Sequence, residues 1–191
     1  LDAVGALAVQ RLEEAHVDVL TRELQHHAVD EAAEVVDGVL GIVGLQRLGH
    51  DVYYIEDSAR IPYNPQTFET SNDFAYAAQV LGQLAREFGF ERHWGFCARY
   101  LPDYPTAGIR LTKIRQLYRE ADAILNVCGT QEFNDDLLQS ERILYVESDP
   151  GVEQIKVDRR VRSTVDYLRK HRVLFTFGRN VGSDRFPVSL L

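Results

Sequence analysis

Two carboxylates, Glu56 and Asp57, close the segment "DVYYIED", and groups of this kind exchange protons or hold hydroxyls. Further polar residues follow other strand-like runs: Arg99 after "HWGFCA", Gly129 with Thr130 and Gln131 after "DAILNVC", Asp149 with Gly151 in "ESDPG", and Gly178 with Arg179 and Asn180 after "RVLFTF". In open parallel sheets the ligand crevice lies beyond the carboxyl ends of the strands. That rule predicts that these residues line one ligand-binding edge. Polar residues at strand ends are also ordinary turn formers and helix caps, so each has a structural explanation as well.

Other chemistries fit less well. An acid closing "DVYYIED" also suits the carboxylate that holds a ribose hydroxyl in a dinucleotide fold. The phosphate loop is missing, because Gly38, Gly41, Gly44 and Gly49 do not form G-x-G-x-x-G and no clear strand precedes them. A nicotinamide or flavin site is therefore disfavoured and no cofactor is expected. His26 and His27 are adjacent, so on a helix they point about 100° apart and do not chelate as an i, i+4 pair would; no metal is expected. Cys128 lies in an apolar run with no histidine nearby in sequence and reads as a buried thiol. The basic stretch "KVDRRVRSTVDYLRKHR" (156–172) reads as the solvent face of an amphipathic helix, with docking of an anionic partner as the alternative. Tyr53, Tyr54, Trp94, Phe96, Phe175 and Phe177 lie in strand-like runs and are expected in the core.

The elements that must position these groups alternate from about residue 36 onward, the pattern of βα units feeding a mostly parallel sheet. Strands are predicted over 51–57, 92–99, 122–129, 142–151 and 172–178, the fourth ending on an acid, a proline and a glycine and the last a buried strand running into a Gly/Asn loop. Helices are predicted from Asn72 or Asp73, either of which can cap, to a stop at Gly89, and over 109–121 with Leu111, Ile114, Leu117 and Tyr118 facing inward. A single helix over 157–171 would carry Val157, Val161, Val165 and Leu168 on one face. "PDYPTAG" (102–108) reads as a loop. Residues 1–35 are predicted to be mainly helical, with Val17, Leu20, Leu24 and Ala28 near helical spacing. The expected fold is one α/β Rossmann-like three-layer domain over 36–191, with a mainly parallel sheet of about five or six strands.

Composition agrees with a globular domain: 191 residues, 45% apolar and 26% charged. A net charge of −8 supplies no global attraction for nucleic acid or an anionic membrane. No apolar run approaches the ~20 residues that span a bilayer, and no charged and apolar leader opens the chain. With only Cys97 and Cys128 present, both are expected to be reduced thiols of a cytoplasmic protein. The chain begins with Leu1 and contains no methionine, which suggests a removed start or a piece of a longer product.

Taken in order, "LQRLGHDVYYIEDS", "ADAILNVCGTQ" leading into "RILYVESDPGVEQIKV", and "HRVLFTFGRNVGS" resemble the N-terminal half of bacterial glycosyltransferases of the GT-B fold over about residues 36–186. In that family two Rossmann-like domains face each other across a cleft; the first generally binds the acceptor and the second grips the nucleotide-sugar donor. The resemblance implies an acceptor-side domain acting on a nucleotide sugar and an unknown acceptor, with closure holding both substrates in attack geometry. If this half supplies the base that takes the acceptor hydroxyl proton, Asp57 or Glu132 is the expected residue, with Glu56, Arg99, Gly129, Thr130, Gln131, Asp149, Gly178, Arg179 and Asn180 binding substrate.

Two departures from the family pattern shape the expectation. The family's opening strand has no clear counterpart, and "VGALAV" or "HVDVL" must substitute, or two strand edges are left unpaired and available for self-association. After "FTFGRNVG" the family continues into the donor domain, so "SDRFPVSLL" reads as the start of that crossing, with the donor domain absent and the domain inactive alone. A noncatalytic Rossmann-like module that binds a small ligand or a protein partner is the alternative.

Overall fold

The computed structural model describes residues 6–10, 41–64, 67–129, 131–147, 150–176, 178, 180 and 183–184. They form a mixed α/β domain built on a seven-stranded sheet. Its strands are β1 (Ala6–Gln10), β2 (Asp51–Ser58), β5 (Trp94–Ala98), β6 (Thr106–Gly108), β7 (Ala123–Val127), β8 (Ile143–Glu147) and β9 (Val173–Thr176); β3 (Tyr63–Asn64) and β4 (Glu69–Thr70) pair as a separate ribbon. The order across the sheet is β6-β5-β2-β1-β7-β8-β9. β2 with β5, and β7 with β8 and β9, run parallel.

The central strand and the edge strand β6 depart from a parallel sheet. β1 comes from the "VGALAV" stretch and pairs antiparallel with both β2 (Ala6 with Ile55, Gln10 with Asp51) and β7 (Ala6 with Asn126, Val9 with Ala123). Antiparallel neighbours need no crossover, and Gln10 ends beside the residue where β2 begins. The facing edges of β2 and β7 are thus paired within the chain. This part of the segment expected to be helical is a strand; the remainder of 1–35, with His26 and His27, lies outside the described residues.

Helix α1 (residues 41–47 as described) leads into β2, and α2 (Ala75–Glu87) and α3 (Leu111–Glu120) follow β4 and β6. α2 is not capped by Asn72 or Asp73; Phe74 holds the cap position, and the Asp73 carboxylate accepts from the Ala75 N–H at 2.8 Å. α1 and α2 stop in the same way. The His50 N–H reaches the Leu45 carbonyl and the Phe90 N–H the Ala85 carbonyl, with Gly49 (φ 90°) and Gly89 (φ 77°) in the left-handed region that such endings require.

Strand parity divides the core. Val52, Tyr54, Phe96, Ala98, Ala123 and Val127 pack with Ile42 and Leu45 of α1 and Leu81 and Ala85 of α2. Tyr53, Ile55, Cys97, Ile124 and Ile143 pack with Ile114, Leu117 and Tyr118 of α3.

Three further expectations need correction. "PDYPTAG" contains a short edge strand, β6, antiparallel to β5; a Cβ on Gly108 (φ 72°) would collide with the Trp94 carbonyl oxygen, so the strand closes on a glycine. The single helix over 157–171 is two, α4 (Pro150–Asp158) and α5 (Arg162–Leu168). α4 ends with Val161 N–H on the Lys156 carbonyl and Arg160 N–H on the Val157 carbonyl, Arg160 taking the left-handed place (φ 54°) that glycine takes at the ends of α1 and α2. Finally, β9 is an edge strand, paired among the described residues with β8 alone, and Val173 and Leu174 are exposed rather than buried.

Candidate functional site

Neighbouring residues of a strand point to opposite faces, so Glu56 and Asp57 part company at the end of β2. Asp57 turns toward the α3 face and is 1% exposed. Arg99, one residue past β5, donates to it in a fork, Nε to Oδ1 at 2.5 Å and Nη2 to Oδ2 at 2.8 Å. The Tyr118 hydroxyl of α3 (2.9 Å) and the Asn134 amide (3.1 Å) also donate to Oδ2. Arg99 and Arg115 both donate to Asp136, at 2.9 and 3.0 Å.

The charges set the protonation of the group. Burial would raise the Asp136 carboxyl, but the hydrogen bonds from Arg99 and Arg115 hold it below its usual value. Burial would lower Arg99, but its bonds to Asp57 and Asp136 and the Asp57 charge drive it well upward. Burial, followed by the nearby Asp57 carboxylate, pushes the Cys97 thiol up to about 12. Tyr118 is raised well above its usual value by the same two causes. This is a fully protonated thiol and phenol beside a satisfied ion-pair network.

The segment after β7 crosses the end of β1 to reach β2. Cys128 and Gly129 are both left-handed (φ 52° and 69°), which turns the chain back over the sheet. The Gln131 amide then donates to the Asp57 carbonyl at 2.5 Å. Glu132 accepts from the Ala59 N–H (3.1 Å) and from Arg60 Nε (3.0 Å), on the exposed side of the crossing.

A second buried network holds that segment from behind. Asn126, 0% exposed near the carboxyl end of β7, accepts from the Gln131 N–H at 3.2 Å and donates to the Tyr167 hydroxyl (2.8 Å) and to Nε2 of His171 (2.9 Å). His171 Nδ1 donates to the Leu168 carbonyl at 3.1 Å, so the ring is the neutral Nδ1–H tautomer. The Tyr167 hydroxyl also meets the Gly129 and Gln131 carbonyls at 2.8 and 2.9 Å. Phe133, Tyr145 and Tyr167 pack edge-on around the imidazole, and burial lowers its pKa.

Glu56 stands apart, facing the α1 and α2 side at 7% exposure. The Tyr54 hydroxyl, two residues back on the same face, donates to Oε1 at 3.0 Å. Burial raises its pKa to about 7 against the lowering effect of that hydrogen bond. Tyr145 donates to Glu147 in the same Tyr-x-Glu spacing at the end of β8.

Of the residues singled out in the sequence, Asp57, Arg99, Gln131 and Glu132 come together, and Gly129 joins through its carbonyl. Glu56 is beside them on the other face. Gly178, whose N–H meets the Thr176 hydroxyl, and Asn180 follow β9, roughly 19 Å from β2 by strand spacing. Thr130, Asp149 and Arg179 lie outside the described residues. Sequence reasoning missed Tyr118, Asn134, Asp136, Asn126, Tyr167 and His171. Asn126 had a signal, being the one amide inside the apolar run "AILNV". Among the described residues no group of three or more His, Cys, Asp or Glu side chains could hold a metal ion, and no helix is long and apolar enough to cross a membrane. No family model, curated protein or solved structure matches this chain.

Proposed function

We propose that this chain is the acceptor-side domain of a sugar transferase that uses a nucleotide-sugar donor, built as a three-layer Rossmann-like unit. The strand order β5-β2-β1-β7-β8-β9 supports the reading: it is the doubly wound order with a reversed central strand. The observation that carries it is the meeting of the segments after β2, β5 and β7 at the point where the strand order reverses, joined through Asp57, Arg99, Gln131 and Glu132. Ligands of doubly wound sheets bind at that point. A donor-binding domain supplies the opposite wall of the cleft and stabilises the leaving diphosphate. Cys97 and Cys128 form no disulfide, which suits a reducing, cytoplasmic setting.

The test is incubation of the native polypeptide that carries this sequence with uridine, guanosine and thymidine diphosphate sugars, reading nucleoside diphosphate release and sugar transfer to a cell extract. Transfer from any one supports the reading; none from all of them overturns it. A second reading, a noncatalytic binding module, draws support from the Asp57 carboxylate, which is saturated by Arg99, Tyr118 and Asn134. Monomeric behaviour at high concentration with no affinity for nucleotide sugars would favour that module.

A further inference from the structure

We propose that Glu56, rather than Asp57 or Glu132, is the proton acceptor of the site, taking the hydroxyl proton of an acceptor alcohol; the role rests on the transferase reading above. The three carboxylates differ in what already holds them. Asp57 is locked in the Arg99 fork with two further donors, and Glu132 is held by Arg60 and the Ala59 N–H. Using either as a base means breaking a formed ion pair at each turnover.

Glu56 has no such commitment. It sits at the carboxyl end of β2, one residue beyond the pairing of Ile55 with the first residue of β1, where the strand order reverses. Among the described residues no cation pairs with it, and the neutral Tyr54 hydroxyl is its donor. Its neighbour on β5 is Phe96, which stacks on Phe74 ahead of α2, so that side presents aromatic carbon. Asp57 and Arg99 are on the opposite face. A buried carboxyl with one neutral donor and no paired cation among the described residues is an expensive choice for a structural position, since an apolar side chain would fill the same place. It is a suitable choice for a group that must be charged before the reaction and neutral after it, and burial sets its pKa at about 7.

The step balances as follows. The acceptor O–H bond breaks and its proton goes to the Glu56 carboxylate. The acceptor oxygen forms the new bond to the anomeric carbon of the nucleotide sugar. The bond from that carbon to phosphate oxygen breaks, and its electron pair leaves with the nucleoside diphosphate.

Two measurements test the role. In this chain, carbon-13 NMR of the carboxyl groups is titrated with Glu56→Gln for assignment. The expected result is a resonance with a midpoint near 7, absent from the variant and moved upward in Tyr54→Phe, which removes a donor to the charged form. A Glu56 midpoint near the ordinary value of 4.5 overturns the proposal whatever the activity. In the native polypeptide, Glu56→Gln is expected to lower kcat by about 10²–10⁴-fold, with donor KM held and the acidic limb of the rate profile lost. Tyr54→Phe, which keeps the base, moves that limb to higher pH. Unchanged kcat and limb in Glu56→Gln sink this role while leaving the transferase reading intact. Absence of transfer by the unmodified polypeptide sinks both.

Discussion

Arg99 grips the Asp57 carboxylate in a two-point fork, Nε on Oδ1 at 2.5 Å and Nη2 on Oδ2 at 2.8 Å, with the acid side chain fully buried and the arginine 10% exposed. The pair ties the end of β2 to the end of β5 and, through Asp136 and Arg115, to α3. A buried pair costs little when both partners go and much when one is left behind.

Asp57→Asn is therefore expected to destabilise the domain by about 3 kcal/mol. The double variant Asp57→Asn/Arg99→Met should cost clearly less than the sum of the two single changes. Urea unfolding of the four proteins measures the coupling. Strict additivity would show that the fork contributes nothing to the fold.

The turn between α4 and α5 makes a simpler prediction. Arg160 occupies a left-handed position without the glycine that Gly49 and Gly89 supply at the ends of α1 and α2. Arg160→Gly should stabilise the chain by roughly 0.5–1 kcal/mol, because the strain removed exceeds the entropy added to the unfolded state. Thermal unfolding reads the change; a lower midpoint would mean that the arginine side chain holds the turn.

That turn also shows where sequence reasoning reaches its limit. The apolar valines at 157, 161 and 165 suggest one continuous helix, and nothing in the residue types marks a left-handed arginine between them. β2, β5, β7 and β8 were legible because their apolar runs are buried and bounded by turn residues. The exposure of β9 was not, since a strand's place at an edge depends on distant pairing. The same holds for the direction of β1. At the site, Asp57, Arg99 and Gln131 were visible as polar residues after strands, whereas Tyr118 and Asn134 become partners of Asp57 only once α3 and the segment after β7 fold against it.

Glu56 makes stability depend on pH in a definite sense. Its pKa in the folded chain, about 7, exceeds the ordinary value of 4.5, so the folded state binds more protons between those limits. This contribution is complete below about pH 4.5 and is lost as pH rises through about 7. Glu56→Gln should abolish that downward slope and be more stable than the unaltered chain at pH 8 by roughly 2–4 kcal/mol. Denaturant midpoints across pH 4–8 measure it. An unchanged slope would place the proton uptake on another group.

Asn126 supplies the last test, because its amide donates to Nε2 of His171 and so makes that nitrogen the acceptor of the ring. With Nδ2 donating to Nε2 at 2.9 Å and Nδ1–H bound to the Leu168 carbonyl, both ring nitrogens are committed to the neutral form. Burial lowers the pKa first, Lys170 adds to the lowering, and the Leu168 and Tyr167 backbone bonds oppose it. Tyr145 and Tyr167, the other titratable groups packed on the ring, are both raised and uncharged near neutrality. Because His171 is depressed, its contribution to stability is full above about pH 6.5 and declines as pH falls. Asn126→Asp replaces the donor with a carboxylate oxygen, which turns Nε2 from an acceptor into the favoured site of a proton. The His171 midpoint should then rise above its ordinary value by about 1–3 units. Its contribution to stability should reverse, present at low pH and lost as pH rises through the new midpoint. Imidazole resonances followed by NMR decide the matter: a midpoint that stays below the ordinary value shows that Asn126 does not govern the ring.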